Sequence, residues 1–182
     1  MKKTIALILI VAIGCSLTGC FQQMTPVENF LLAIKKMDLA AMRAEMVPDE
    51  TAGSAYRKLS NADLNEESLQ ALGELYSLVQ YKMGEVSSDG DVKTVSVTLK
   101  VPDMERIRSL AMTQILVSGN TAATVIGGML ADGSVSQNMM KEYTLSVKMT
   151  ETDGVFKIPY GDKENAAFAK ALAIAEMIDF LS

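Results

Sequence analysis

The 182-residue chain contains no histidine and no tryptophan, two cysteines, four prolines and only 5% aromatic residues. Without histidine there is no Ser-His-Asp or Cys-His site, no His-liganded zinc and no imidazole proton shuttle. Both cysteines, Cys15 and Cys20, fall within the first twenty positions, so the remainder has no thiol for a disulfide or a metal. Four Pro and 12 Gly against 49% apolar residues exclude a collagen-like or disordered chain and suit one compact domain. Basic runs are missing too. With 17 Lys plus Arg against 22 Asp plus Glu, nucleic acid is not an expected partner, because phosphate binding needs clustered cations. Glu66-Glu67 and Asp89-Gly90-Asp91 lack the carboxylate spacing of a calcium loop and read as a helix start and a turn, so neither metal nor cofactor is expected.

What is present begins with an address. Lys2 and Lys3 form a basic start, Thr4 to Ile13 an apolar core, and small residues come after it, the layout of a secretory signal. Leu17-Thr18-Gly19-Cys20 resembles the bacterial lipobox. The resemblance implies a diacylglycerol on the Cys20 thiol, cleavage before that residue and acylation of the new amine. An ordinary secretory signal or an uncleaved anchor is the alternative, although about ten apolar residues are short for a spanning helix. The expected division is a removed signal over 1–19, lipidated Cys20 and a short tether over 20–24, and a single α+β domain over 25–182. Loss of Lys2 and Lys3 takes the formal net charge from −5 to −7. Two or three acyl chains hold a protein at a bilayer almost permanently. The expected place is therefore the bacterial cell envelope, lipid-anchored, with the domain on the extracytoplasmic side and the membrane as a partner.

Thr25-Pro26-Val27-Glu28 is a capping box with Pro at the first helical position. Only Phe21 to Met24 separate it from Cys20, a tether of about 15 Å when extended, so the domain is held near the headgroups. Val27, Phe30, Leu31 and Ile34 then fall at i, i+3, i+4 and i+7, a core-facing stripe. Asp38 is placed to cap a short helix carrying Leu39, Met42 and Met46, and Pro48-Asp49 to open another towards Leu59. Asn65 heads a longer helix with Leu69, Leu72, Tyr76 and Val79 on one face. The period then changes. Val95, Val97, Leu99 and Val101 alternate with Ser96, Thr98 and Lys100, a half-buried strand; Tyr81 and Met83 precede it across the turn signal Ser88-Asp89-Gly90-Asp91. Pro102 ends that hairpin and Asp103 is placed to cap a helix beginning at Met104. Tyr143, Leu145, Val147 and Met149 repeat the alternation, Asp153-Gly154 turns into Val155 to Ile158, and Asp162 is placed to cap a final helix to Phe180.

Between the hairpins, Ser109 to Met140 carries one charge, Asp132. Breakers at Gly119-Asn120 and Gly127-Gly128, with several Thr, Ser and Gln, make two helices over about Met104–Ser118 and Thr121–Leu130 packed on the sheet a better reading than a membrane span. The sharper reading is an apolar cover over a cavity. The final helix has Ile174, Met177, Ile178 and Leu181 on one side but Phe168, Leu172 and Phe180 elsewhere. It is either buried on both sides or meets a homodimer partner.

The run Pro26 to Leu39, the step Val101-Pro102-Asp103-Met104 and the segment Asp153-Gly154-Val155-Phe156-Lys157-Ile158 together resemble the nuclear transport factor 2-like, cystatin-like lipoproteins. The resemblance implies an α+β cone: a curved antiparallel sheet wrapped around an N-terminal helix, with a concave pocket, here with a helical insertion between two hairpins and a C-terminal helix. Function does not follow from such a fold. Enzymes of that group use an Asp with His or Tyr; with no His, Tyr81 or Tyr143 is left, and Asp103 and Glu105, though placed to face a cleft, read first as a helix start. The expectation is a non-enzymatic binding module. Its pocket is lined by Tyr81, Met83, Val95, Val97, Leu99, Tyr143, Leu145, Val147 and Met149 and receives an apolar ligand or a segment of an envelope protein, unless these residues form a dry core. The 13 methionines fit either case. An assembly or dimerisation role is the alternative, and a minor enzyme with a carboxylate–Tyr pair the third.

Overall fold

The computed structural model describes residues 25–51 and 53–182. The signal over 1–19, the acylation at Cys20 and the tether to Met24 lie outside the described residues. Helix α1 (Pro26–Lys36) starts where the Thr25 hydroxyl accepts the Glu28 N–H at 3.2 Å. It buries Val27, Phe30, Leu31 and Ile34 and ends at Met37 in a left-handed conformation, φ 52°. Asp38 then caps α2 (Leu39–Ala44) by accepting the Ala41 N–H at 2.9 Å. Helix α3 is shorter than the sequence implies. It spans Ala55–Ser60 and does not open at Pro48-Asp49: the Asp49 carboxylate accepts the Thr51 N–H at 2.9 Å, folding a local turn that competes with a helix. Ser54 supplies the cap, accepting the Arg57 N–H at 3.1 Å.

Asn65 caps α4 (Glu66–Ser77) through the Ser68 N–H at 2.8 Å. Its buried face is rotated from the expected one. Leu69 is 37% exposed while Ser68 is buried, because the Ser68 hydroxyl donates to the Leu181 carbonyl at 2.8 Å.

Four antiparallel strands run in chain order as β1 (Gln80–Asp89), β2 (Val92–Pro102), β3 (Met140–Thr152) and β4 (Val155–Lys157). The register sets Tyr81 beside Leu99 and Tyr143, and Met83 beside Val97 and Leu145. All nine predicted lining residues therefore share one face, the alternation of a sheet with one covered side. Between Met83 and Val86 the pairing shifts. Gly84 sits in this bulge, where a Cβ would lie 3.1 Å from Ser96 Cβ, a contact that a larger residue would force apart.

The insertion forms α5 (Met104–Ser118) and α6 (Ala122–Ala131), capped by Asp103 and Thr121 and bent by 112° about Gly119-Asn120. No single described helix is long and apolar enough to cross a membrane. Helix α6 lies along α4, and α5 along α6. The final helix is in fact two. After a short turn at Lys163–Asn165, α7 (Ala166–Leu172) and α8 (Ile174–Leu181) meet at Ala173, φ 48°, and Asp162 makes no side-chain cap bond. The break resets the helical phase, so each half turns its own apolar stripe inward. That accounts for apolar residues on several sides of a single wheel. Phe168, Leu172, Ile174, Met177, Ile178 and Leu181 are all buried, in one cluster with the covered sheet face and α1. At its centre Phe30, Tyr160 and Phe168 meet with ring centroids 5.2–6.0 Å apart.

Candidate functional site

Three local events open a cleft of 520 Å³. Strand β2 ends at Pro102; Asp103 starts α5 while its N–H donates to the Met139 carbonyl at 2.7 Å; and the break at Ala173 swings α8 away from α7. Small residues, Ala167, Ala171 and Ala173, keep the space between them open. Met104, Ala171 and Met177, all nearly inaccessible, form an apolar floor. Tyr143 stands on one wall, and Glu105, Arg108, Lys170 and Glu176 join Asp103 and Lys141 around the rim. A wider depression of 730 Å³ along Ser54, Lys58, Tyr160 and Ala169 is shallower and more open to solvent.

The rim holds three cations and three carboxylates, so neither sign of ligand is favoured alone. Asp103 is fully engaged: one carboxylate oxygen accepts the Arg106 N–H at 3.2 Å and the other meets Lys141 Nζ at 3.0 Å. The hydrogen bond to Asp103 holds the Lys141 ammonium above the usual lysine range, opposed by desolvation and helped by the charges of Asp103, Tyr143 and Glu105. Asp103 thus both caps the helix and lines the cleft, the two roles the sequence offered for it; Glu105 lies beside it.

Of the nine residues predicted to line a pocket, Tyr143 borders this cleft. Val95, Val97, Leu99, Val147 and Met149 are wholly buried, whereas Tyr81, Met83 and Leu145 are half-buried against the same core. The sheet face is therefore packed rather than open, the dry-core alternative for those five. Tyr81 has its phenol pushed up by burial and, secondarily, by Glu28. Among the described residues no tyrosine hydroxyl bonds a carboxylate: Tyr76 donates to the Leu172 carbonyl at 2.7 Å and Tyr160 to that of Ala169 at 3.4 Å. Nor do three acidic or thiol ligands gather at one point among them. Arg108, Lys170, Glu176 and Met177 escaped sequence reasoning. They converge only because the chain turns left-handed at Ala173, where no glycine or proline announces it.

No family model and no curated protein matches the chain. Among solved structures it is similar to one described as a "putative lipoprotein (ycdA)" from Bacillus subtilis subsp. subtilis str. 168. Identity is 15% and the TM-score 0.38, over 84% of this chain and 49% of that one. The chain spans about half the length of that structure, and likeness at this level assigns neither a fold family nor a function.

Proposed function

We propose that this protein is a cell-envelope lipoprotein, anchored through acylated Cys20 on the extracytoplasmic side, that binds rather than catalyses. Its fold is read as a variant of the cystatin-like cone, in which a helical hairpin interrupts the meander and two C-terminal helices close the core. The observation that carries the binding role is the cleft at Ala173, with its methionine and alanine floor beneath a rim of Arg108, Lys141, Lys170, Asp103, Glu105 and Glu176. Such a rim suits a protein segment that carries both an acid and a base and places an aliphatic side chain on the floor. A bare apolar ligand leaves Glu105, Arg108, Lys170 and Glu176 unused, and a polyanion meets three carboxylates.

A photo-crosslinking residue in place of the exposed Ala167 tests this in the living host. The expected result is a discrete higher-mass adduct that disappears when Arg108→Glu reverses one rim charge. A lipid-sized adduct makes the ligand apolar; no adduct at all removes the binding role. The assembly alternative drew on the C-terminal helix, and the apolar face it needs there is spent in the core, with Ile174, Met177, Ile178 and Leu181 buried.

A further inference from the structure

The wider depression along Ser54 and Tyr160 is not separate from the cleft: Lys170 and Glu176 line both. They stand on either side of the break at Ala173, Lys170 on α7 and Glu176 on α8. Around them the walls are low, with Ala167 and Ala171 on the cleft side and Ala169 and Ala175 on the other. The remaining wall of the depression comes from α3 and the turn before it. Asp49 lies there, close enough to the start of the C-terminal segment that a Cβ added to Gly161 would be 3.6 Å from its carboxylate. From these observations we infer that cleft and depression are one groove, and that the protein segment received by the cleft continues in extended form over the Ala173 corner and sets a basic side chain on Asp49.

The inference rests on the cleft's binding role and extends it, and both size and charge select a polypeptide as the occupant. Cleft and depression hold 520 and 730 Å³, together more than the roughly 300–1,000 Å³ of a small-molecule site. Charges of both signs follow one another along the groove: Glu105 and Arg108 in the cleft, Lys170 and Glu176 at the corner, Asp49 beyond it. Among the described residues none of these five joins an ion pair, the pairs being Lys58–Asp179, Lys141–Asp103 and Lys148–Glu164. A polymer of one sign meets its own sign both in the cleft and at the corner, whereas a chain of amino acids can change sign every 3.3–3.6 Å or so of its extended length. Past the corner, Lys58 is already held by Asp179, which leaves the Asp49 carboxylate as the charge open to a partner and calls for a Lys or Arg. That carboxylate is fixed in advance by accepting the Thr51 N–H at 2.9 Å, so little further ordering is needed when a base arrives.

The test places a second photo-crosslinking residue at the exposed Thr51, beside Asp49, in the full chain in its host and in parallel with the one at Ala167. The expected result is the same partner at both positions, with peptide mass spectrometry mapping the two crosslinks to one segment a few residues apart. Asp49→Lys, and Asp49→Asn, which keeps an acceptor for the Thr51 N–H, should each cut the Thr51 adduct by about fivefold or more. An adduct at Ala167 with none at Thr51 means that the segment ends at the corner, which overturns the inference and leaves the cleft's binding role standing. Different partners at the two positions, or a Thr51 adduct indifferent to both Asp49 variants, also overturn it. No adduct at either position overturns both readings, and an adduct at Thr51 alone removes the cleft and with it the continuous groove.

Discussion

Tyr76 and Ser68, two turns apart on α4, close the ends of both C-terminal helices. The last carbonyls of a helix have no partner within it, and here the Tyr76 and Ser68 hydroxyls donate to those of Leu172 and Leu181. Removing one partner leaves a buried carbonyl unsatisfied, so Tyr76→Phe is expected to cost about 1–3 kcal/mol, read from urea unfolding. Burial, then the neighbouring Tyr160 and Glu176 charges, push the Tyr76 phenol well above its usual value, and burial with Glu176 does the same to Tyr160. A phenol whose folded value is raised stabilises the fold fully below the unfolded value of about 10 and loses that contribution as pH rises beyond it. Ultraviolet titration of the five tyrosines should therefore show two that ionise only with alkaline unfolding; five ionising together below that transition would refute the assignment. The sequence placed Tyr76 on an apolar face but held no sign of its hydroxyl's partner, which lies 96 positions away.

At the scale of elements, local signals were well read where the chain itself supplies the physics. Thr25, Asp38, Asn65 and Asp103 each cap the helix expected of them, since a cap bond spans three residues and depends on nothing distant. Asp153-Gly154 turns between β3 and β4 with both φ values positive, as a two-residue hairpin requires. Errors arose where two local choices compete. Asp49 can start a helix or fold a turn, and it folds a turn. Ala173 sits in the middle of a good helical sequence, yet packing of both halves against the core holds it left-handed. An alanine there costs about 1–2 kcal/mol, partly offset in glycine by its greater unfolded freedom. Ala173→Gly should thus raise stability by about 0.5–1 kcal/mol, seen as a higher Tm; a loss would mean that the break is not strained. The bulge at Gly84 was likewise unread, and together with Lys82 and Glu85 it blunts an edge strand that would otherwise invite pairing.

Across the whole molecule, residues 25–182 contain no cysteine, so no covalent tie links the C-terminal helices to the sheet. Asn165 takes part of that role. Its side-chain oxygen accepts the Lys148 N–H at 2.9 Å, and its amide donates to the carbonyls of Lys148 at 3.0 Å and Pro159 at 3.1 Å. The amide imitates a peptide unit of a further strand and occupies the β3 edge beyond β4. Asn165→Ala leaves three backbone groups without that partner and should destabilise by about 2–4 kcal/mol. Hydrogen exchange is expected to rise first at the Lys148 amide; unchanged protection there would show that the clasp carries no stability.

The sequence by itself determined the helices that begin at a cap, both hairpins, the shared face of Tyr81 to Met149 and the absence of histidine and thiol chemistry, because each depends on residues a few positions apart or on composition alone. Tertiary structure decided whether that face is pocket or core, how α7 and α8 divide, and where Arg108, Lys141, Lys170 and Glu176 meet. Those outcomes depend on packing between segments tens of residues apart, where a free energy shared by many contacts overrides the preference of any one.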